Sequence, residues 1–181
     1  MNLTQLRFQN QQLDGSSLQT GHELVQWFGA VQGQEYGPTK WGLGLRLAHL
    51  KDADVEHELE AGKILRTHLL RPTWHFVAAE DIRWMVLLTA PRVHQANAYM
   101  YRQLALDASV FNPCNDLIVT TLEGQQQRTR EEIAAEFRQH GILAEGHRLS
   151  YIMMQAELEG IVCGGARRGN QFTYTLLEER V

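Results

Sequence analysis

The segment Val31-Gln32-Gly33-Gln34-Glu35-Tyr36 brings two amides and a carboxylate together where a helical pattern ends, just ahead of Gly37-Pro38 and Trp41. Groups of this kind at a helix end either face a cleft as hydrogen-bonding partners or serve as capping and turn chemistry. The residues alone leave both open. A second set is basic. Arg167 and Arg168 stand in the glycine-rich run Gly164–Asn170, with Asn170 beside them. Two guanidinium groups at an exposed hairpin tip suit phosphate contact or entry into a minor groove, and the plain alternative is a solvated turn. A third set, Lys40, Arg46, Arg66, Arg71, Thr73 and His75, can line a positively charged groove or form an ordinary polar sheet face.

Other chemistries find little support. His22-Glu23 and His57-Glu58 do not continue into HExxH, and Cys114 and Cys163 have no neighbours at zinc-ligand spacing, so no metal site is expected. Gly42-Leu43-Gly44 lacks a third glycine and a preceding strand, and no P-loop exists, so no nucleotide cofactor is expected. No nucleophile elbow surrounds Ser16, Ser17, Ser109 or Ser150. Trp27, Trp41, Trp74 and Trp84 read first as core anchors, with Trp41 and Trp74 kept open as base-stacking surfaces.

The elements that must hold these residues follow from hydrophobic spacing. Leu3–Leu13 reads as a helix broken at Asp14–Ser17, and Glu23–Val31 as a second, with Leu24, Trp27, Phe28 and Val31 at helical intervals. Gly37-Pro38 breaks the chain again, and Thr39 caps a third helix running to Leu47. Asp52 caps a fourth that stops at Gly62. Ile64–Arg71 and Trp74–Val77 read as strands joined at Pro72-Thr73, with Arg66 and His68 on one face. Ala79–Thr89 is helical, Pro91 ends it, Gln95–Asp107 is a separate helix, Asn112-Pro113 is a loop, and Asp116–Leu122 is a short helix or strand. Thr129-Arg130-Glu131-Glu132 is a capping box, opening a helix with Ile133, Ala134 and Phe137 inward and Gly141 as its end. His147–Glu159 is the next helix, with Leu149, Ile152, Met153 and Ala156 inward. Ile161–Cys163 and Gln171–Leu176 then read as strands around the basic turn.

Helices followed by a hairpin with a basic tip form a winged helix, whose helices address a groove while the hairpin reaches phosphates. The expected fold is therefore α+β, mostly helical, with tandem winged helices. Residues 1–92 make a first unit with an extra helix, 93–128 a helical connector, and 129–181 a second unit.

Composition sets the outer limits. Hydrophobic residues make up 44% and charged residues 21% of the 181, which suits a folded core rather than a disordered chain. No apolar run approaches the roughly 18 residues of a membrane span, and Met1–Gln5 has no basic stretch followed by an apolar one, so no leader is expected. Two cysteines point to a reduced, cytoplasmic setting. The net charge of −4 gives no overall attraction to phosphate, so DNA affinity would rest on local placement of Lys and Arg.

Three long blocks resemble AlkZ-type winged-helix DNA glycosylases. They are Trp27–Tyr36 with Lys40–Arg46, then Leu65–Val77 with Ala79–Trp84, then Ala156–Gly160 through Arg167–Tyr174. The resemblance implies several winged helices around a concave DNA-binding surface, and it covers the N-terminal part of such a protein, whose relatives continue into a further winged helix. It also implies a catalytic signature of Gln, a middle residue, then Gln or Asp. Gln32-Gly33-Gln34 falls on that signature, with glycine where relatives usually carry an apolar residue. The implied partner is double-stranded DNA, damaged DNA among it, and the implied activity is excision of alkylated or crosslinked bases. Gln32 and Gln34 would be catalytic, with Glu35 a helper. Two other functions stay compatible with these residues: a winged-helix regulator or inactive glycosylase fragment that binds DNA without cleaving it, and a protein-interaction module, which the pI of about 6.1 favours.

Overall fold

The computed structural model describes residues 2–181; Met1, the first residue of the stretch read for a leader, lies outside them. A short helix α1 (Leu3–Asn10) precedes α2 (Gly21–Phe28), β1 (Ala30–Gln32), α3 (Tyr36–Gly44), α4 (Asp52–Glu60), β2 (Ile64–His68) and β3 (Trp74–Ala78). A long helix α5 (Ala79–Gln103) leads to α6 (Ala108–Leu122), β4 (Arg128–Thr129), α7 (Arg130–Gln139), α8 (Gly146–Leu158), β5 (Val162–Gly164), β6 (Thr173–Leu176) and α9 (Leu177–Arg180). One order therefore occurs twice: helix, strand, helix, helix, strand, strand. Each run closes a three-stranded antiparallel sheet whose last strand lies in the middle, β1-β3-β2 in the first and β4-β6-β5 in the second. The fold is α+β and mostly helical, with two small antiparallel sheets.

Local chemistry accounts for the starts of the main helices. Thr20 accepts from the Glu23 amide while Glu23 accepts from the Thr20 amide, a reciprocal cap on α2. Thr129 and Glu132 do the same for α7, as the sequence motif requires. The apolar faces then make several cores among the described residues. Leu24, Val25, Leu43, Leu47, Val55, Ile64 and Phe76 fill the first unit. Leu106, Phe111, Ile118, Leu122, Ile133, Phe137 and Ile152 fill the second. Between them, Leu65, Val77, Ile82 and Val86 pack with Cys163 and Leu177, so the two sheets share apolar contacts across the molecule. Gly164 allows this approach: a Cβ there would lie 2.8 Å from the Arg66 carbonyl oxygen of the facing strand.

Several sequence expectations need correction. The helix expected over Glu23–Val31 stops at Phe28, because Gly29 turns the chain at φ 73° and Val31 enters β1. Gly37-Pro38 does not break the chain: both residues lie in the first turn of α3, where proline costs no hydrogen bond. Glu35 takes the cap position expected of Thr39, whose hydroxyl instead donates to the Glu35 carbonyl at 2.7 Å. Lys51, one residue before Asp52, precedes α4. Strand β2 ends at His68 rather than Arg71.

The prolines at 91 and 113 both sit inside helices. Residues 79–103 form one continuous helix because Ala90, Val93 and Asn97 pack on α8, with Met154 and Leu158. Residues 108–122, within the stretch expected as a connector, belong to the core with α7 and α8. Three of the four tryptophans are not core anchors: Trp27, Trp41 and Trp84 are each more than half exposed, whereas Trp74 is half-buried. Gly164 and Gly165 serve close approach rather than positive φ, which in this hairpin falls to Gly169 alone.

Candidate nucleic-acid and base-excision site

Strand β1 and the turn after it present the two glutamines. Gln32 pairs with His75 in register, and the ladder runs one residue further, where the Gly33 amide donates to the Trp74 carbonyl at 2.7 Å. Gly33 is pressed against Phe76: a Cβ would stand 2.9 Å from a ring carbon and 3.2 Å from the backbone nitrogen. The glycine in the Gln-Gly-Gln run is thus demanded by packing. On either side of it, Gln32 and Gln34 are exposed. Gln32 Oε1 accepts from Arg71 Nη2 at 3.0 Å, and Gln34 Oε1 accepts from the Trp74 amide at 3.4 Å. Each oxygen keeps a second lone pair, and each amide NH₂ is free to donate to a ligand.

Two hollows adjoin these amides. Both glutamines line one of about 660 Å³, with Gln11, Phe28, Thr39 and Arg46. Gln34 alone also borders a second, of about 500 Å³, which lies between the two units. Its aromatic walls come from Tyr36 and Trp74 of the first unit and Phe172 and Tyr174 of the second. Its charges are mixed, with Glu56, Glu60, Glu131 and Glu157 against Arg66, Arg130 and Arg167. The groove expected to be positive is, at Gln34, nearly balanced.

The basic residues divide three ways. Lys40 and His75 are buried. Lys40 Nζ bridges Asp52 at 2.7 Å and Glu56 at 2.5 Å. Arg66 and Arg167 turn inward. Arg66 Nε donates to the Gly33 carbonyl at 3.0 Å, and its guanidinium lies 4.2 Å from the Trp74 ring centre and 4.3 Å from that of Phe172. Arg167 lies over Tyr36 and 3.5 Å from Glu56. The remaining groups face outward or are partly open. Arg71 is exposed beside Gln32. Arg46, half-buried, donates to the Gln11 and Gly42 carbonyls. Thr73 is half-buried, with its hydroxyl unpartnered. At the second hairpin tip Arg168 and Asn170 are exposed, although Arg168 also bridges Glu132 at 2.7 Å. Arg71 and Gln32 thus come together, as do Arg66 and Gly33, whereas Lys40 and His75 are withdrawn from the surface.

Burial shapes the titration of the inner groups. It pushes the Tyr36 hydroxyl well above its ordinary value, and the hydrogen bond to Glu56 at 2.7 Å adds to this. It would raise the Glu56 carboxyl too, but hydrogen bonds from Lys40 and Tyr36 and nearby positive charge more than offset it, and the carboxyl lies below the usual range. Burial pulls Arg66 and His75 down and pushes Tyr174 up to about 12.

Sequence reasoning missed several residues here. Glu157 of α8 is 1% exposed and meets His68 of β2 across the unit boundary, His68 Nδ1 donating to Glu157 Oε2. Their signal lay in the spacing: Glu157 falls four residues after Met153 on the inward stripe of α8, where a charge is out of place. Phe172 and Arg130 were passed over as a strand residue and a capping-box residue. Among the described residues no cluster of His, Cys, Asp and Glu could hold a metal, and no helix is long and apolar enough to cross a membrane. Cys114 and Cys163 are both buried and free.

The fold and hollows define an α+β protein in which one element order occurs twice, with a cleft bordered by Gln34 and by residues from both sheets. A family model described as DNA glycosylase AlkZ-like matches residues 25–181, and the chain belongs to that AlkZ-like family. Among solved structures it is similar in fold to the Streptomyces sahachiroi DNA glycosylase AlkZ, with a TM-score of 0.79 at 20% identity over 94% of this chain. The chain spans 47% of that relative's length. No curated protein matches.

Proposed function

We propose that the chain is a winged-helix DNA glycosylase that binds double-stranded DNA and releases alkylated purines. The first winged helix lies within residues 1–92 and the second within 129–181, its helical lead-in drawn from 93–128. The repeated element order supports this division. One observation carries the catalytic reading: Gln32 and Gln34, held by β1 and by the Trp74 amide, share one hollow beside the exposed Arg71.

A purine alkylated on a ring nitrogen is cationic and leaves without further protonation. Water forms the new C1′–O bond as the C1′–N bond breaks. The electron pair of that bond neutralises the departing base, and the water's proton passes to solvent. The sugar passes through an oxocarbenium-like state, as in other glycoside hydrolysis. A glutamine is no strong base, but amide oxygens can hold the water and stabilise positive charge on the sugar. Arg71 and Arg168 would meet backbone phosphates, which position the duplex without reading its sequence.

The test is release of free base from duplex DNA carrying 7-methylguanine. Wild-type protein releases it, and Gln32→Ala with Gln34→Ala lowers release by about a hundredfold or more while DNA affinity changes little. Binding without any base release would leave a non-catalytic DNA-binding protein.

A further inference from the structure

The hollow between the units holds a feature that its structural contacts do not use. Glu157 has one carboxyl oxygen on His68, but its other oxygen, Oε1, is buried without any hydrogen-bond partner. Leaving such an atom unpaired is costly. The same residue lines the hollow of about 500 Å³, together with Tyr36, Trp74 and Phe172. That volume lies in the range of small-molecule sites.

We propose that this hollow receives the extruded, positively charged purine, and that Glu157 Oε1 accepts a hydrogen bond from its amino or ring N–H. This rests on the base-excision reading. The charge inventory supports it: four carboxyl groups against three guanidiniums give a phosphate no advantage. Two of those guanidiniums are already engaged, Arg66 over the Trp74 and Phe172 rings and Arg167 beside Glu56. A flat heterocycle that carries positive charge and N–H donors matches a hollow with aromatic residues and one unsatisfied carboxyl oxygen in its lining. Gln34 borders the same hollow, so a base seated there brings its sugar toward the amides that hold the water. His68, through its hydrogen bond to Oε2, is a positioning residue that aims the free oxygen.

The test is equilibrium binding of the whole protein to three duplexes that resist cleavage or lack the charge. One carries 2′-fluoro-7-methylguanosine, which is cationic with a hardened glycosidic bond. The second carries neutral 7-deaza-7-methylguanosine of the same shape, and the third guanosine. Wild-type protein binds the cationic duplex about tenfold or more tighter than the neutral isostere, the scale of one charge-assisted hydrogen bond. Glu157→Gln keeps the size and a bond to His68, and it brings the two affinities within about twofold. Equal binding by wild type, or undiminished preference in Glu157→Gln, overturns the proposal. The wild-type comparison stands even if that variant fails to fold. Base release from an ordinary 7-methylguanine duplex is read separately, so preference without release would refute catalysis and spare this pocket, and release without preference would do the reverse.

Discussion

Arg66 joins the glutamine segment to the opposite unit: its Nε donates to the Gly33 carbonyl, while its guanidinium plane lies against Phe172 of the second hairpin, 4.3 Å from the ring centre. Its Nε–H and its contacts with the Trp74 and Phe172 rings are therefore engaged inside the protein. Arg66→Ala removes one charge-assisted hydrogen bond and two cation–π contacts, so it lowers stability by about 2 kcal/mol. In a chain of this size that is a fall of about 4–8 °C in Tm, read by thermal melting. Arg66→Lys does not restore it, because an ammonium cannot both reach Gly33 and lie flat on two rings.

The glycine between the two glutamines has a packing cause that can be measured. Gly33→Ala drives a methyl to 2.9 Å from the Phe76 ring, and the nearby Phe76 nitrogen cannot yield. We expect a loss of about 1–3 kcal/mol in denaturant unfolding. Trimming the ring with Phe76→Leu relieves part of that clash. The double variant is then less destabilised than the sum of the singles by at least about 0.5 kcal/mol. Strict additivity would mean that Gly33 is set by something other than Phe76.

Acid sensitivity follows from His75. Burial holds its pKa below the ordinary 6.5; the hydrogen bond to the Thr73 carbonyl offsets part of this, and the charges of Arg71 and His68 add to the lowering. The unfolded chain therefore binds a proton on this histidine at a higher pH than the folded chain does. Between the folded value and 6.5 the unfolded state carries more protons, so stability rises with pH across that window and falls on acidification through it. Urea midpoints from pH 7 down to 5 should drop for wild type. In His75→Phe the drop should be shallower, and an identical slope would mean that other groups carry the acid response.

How much of this could be read beforehand depended on the range of each interaction. Thr129 and Glu132 are three apart and interact through one turn of backbone, so the start of α7 was legible. Pro91 misled, because a local rule says that proline ends a helix. Here the lost bond falls beside the solvent-facing Leu87, while Ala90 and Val93 gain contacts on α8 that keep the helix whole. Gln32 and Gln34 were singled out by resemblance, since their spacing alone left capping and turn chemistry open. The pair His68 and Glu157, 89 residues apart, was not, since only the docking of β2 on α8 brings them together. The inward turn of Arg167 had the same obstacle: its partners Tyr36 and Glu56 lie in the other unit.

Arg71 offers a prediction in which binding and catalysis separate. It is exposed in the turn between β2 and β3, and its Nη2 donates to Gln32 Oε1. On the proposed function it has two duties, contact with a phosphate and restraint of the Gln32 amide. Arg71→Ala should weaken binding to every duplex alike and reduce the slope of log K against log salt by about 0.9, the release of one counterion. It should also slow single-turnover base release at saturating protein, because the amide loses the bond that orients it. Arg71→Lys restores the salt slope, since an ammonium neutralises a phosphate as well. It does not restore the rate, because a short point charge cannot repeat the bond to Oε1 while serving the phosphate. If lysine rescues both, the arginine acts by charge alone and Gln32 is held by its strand.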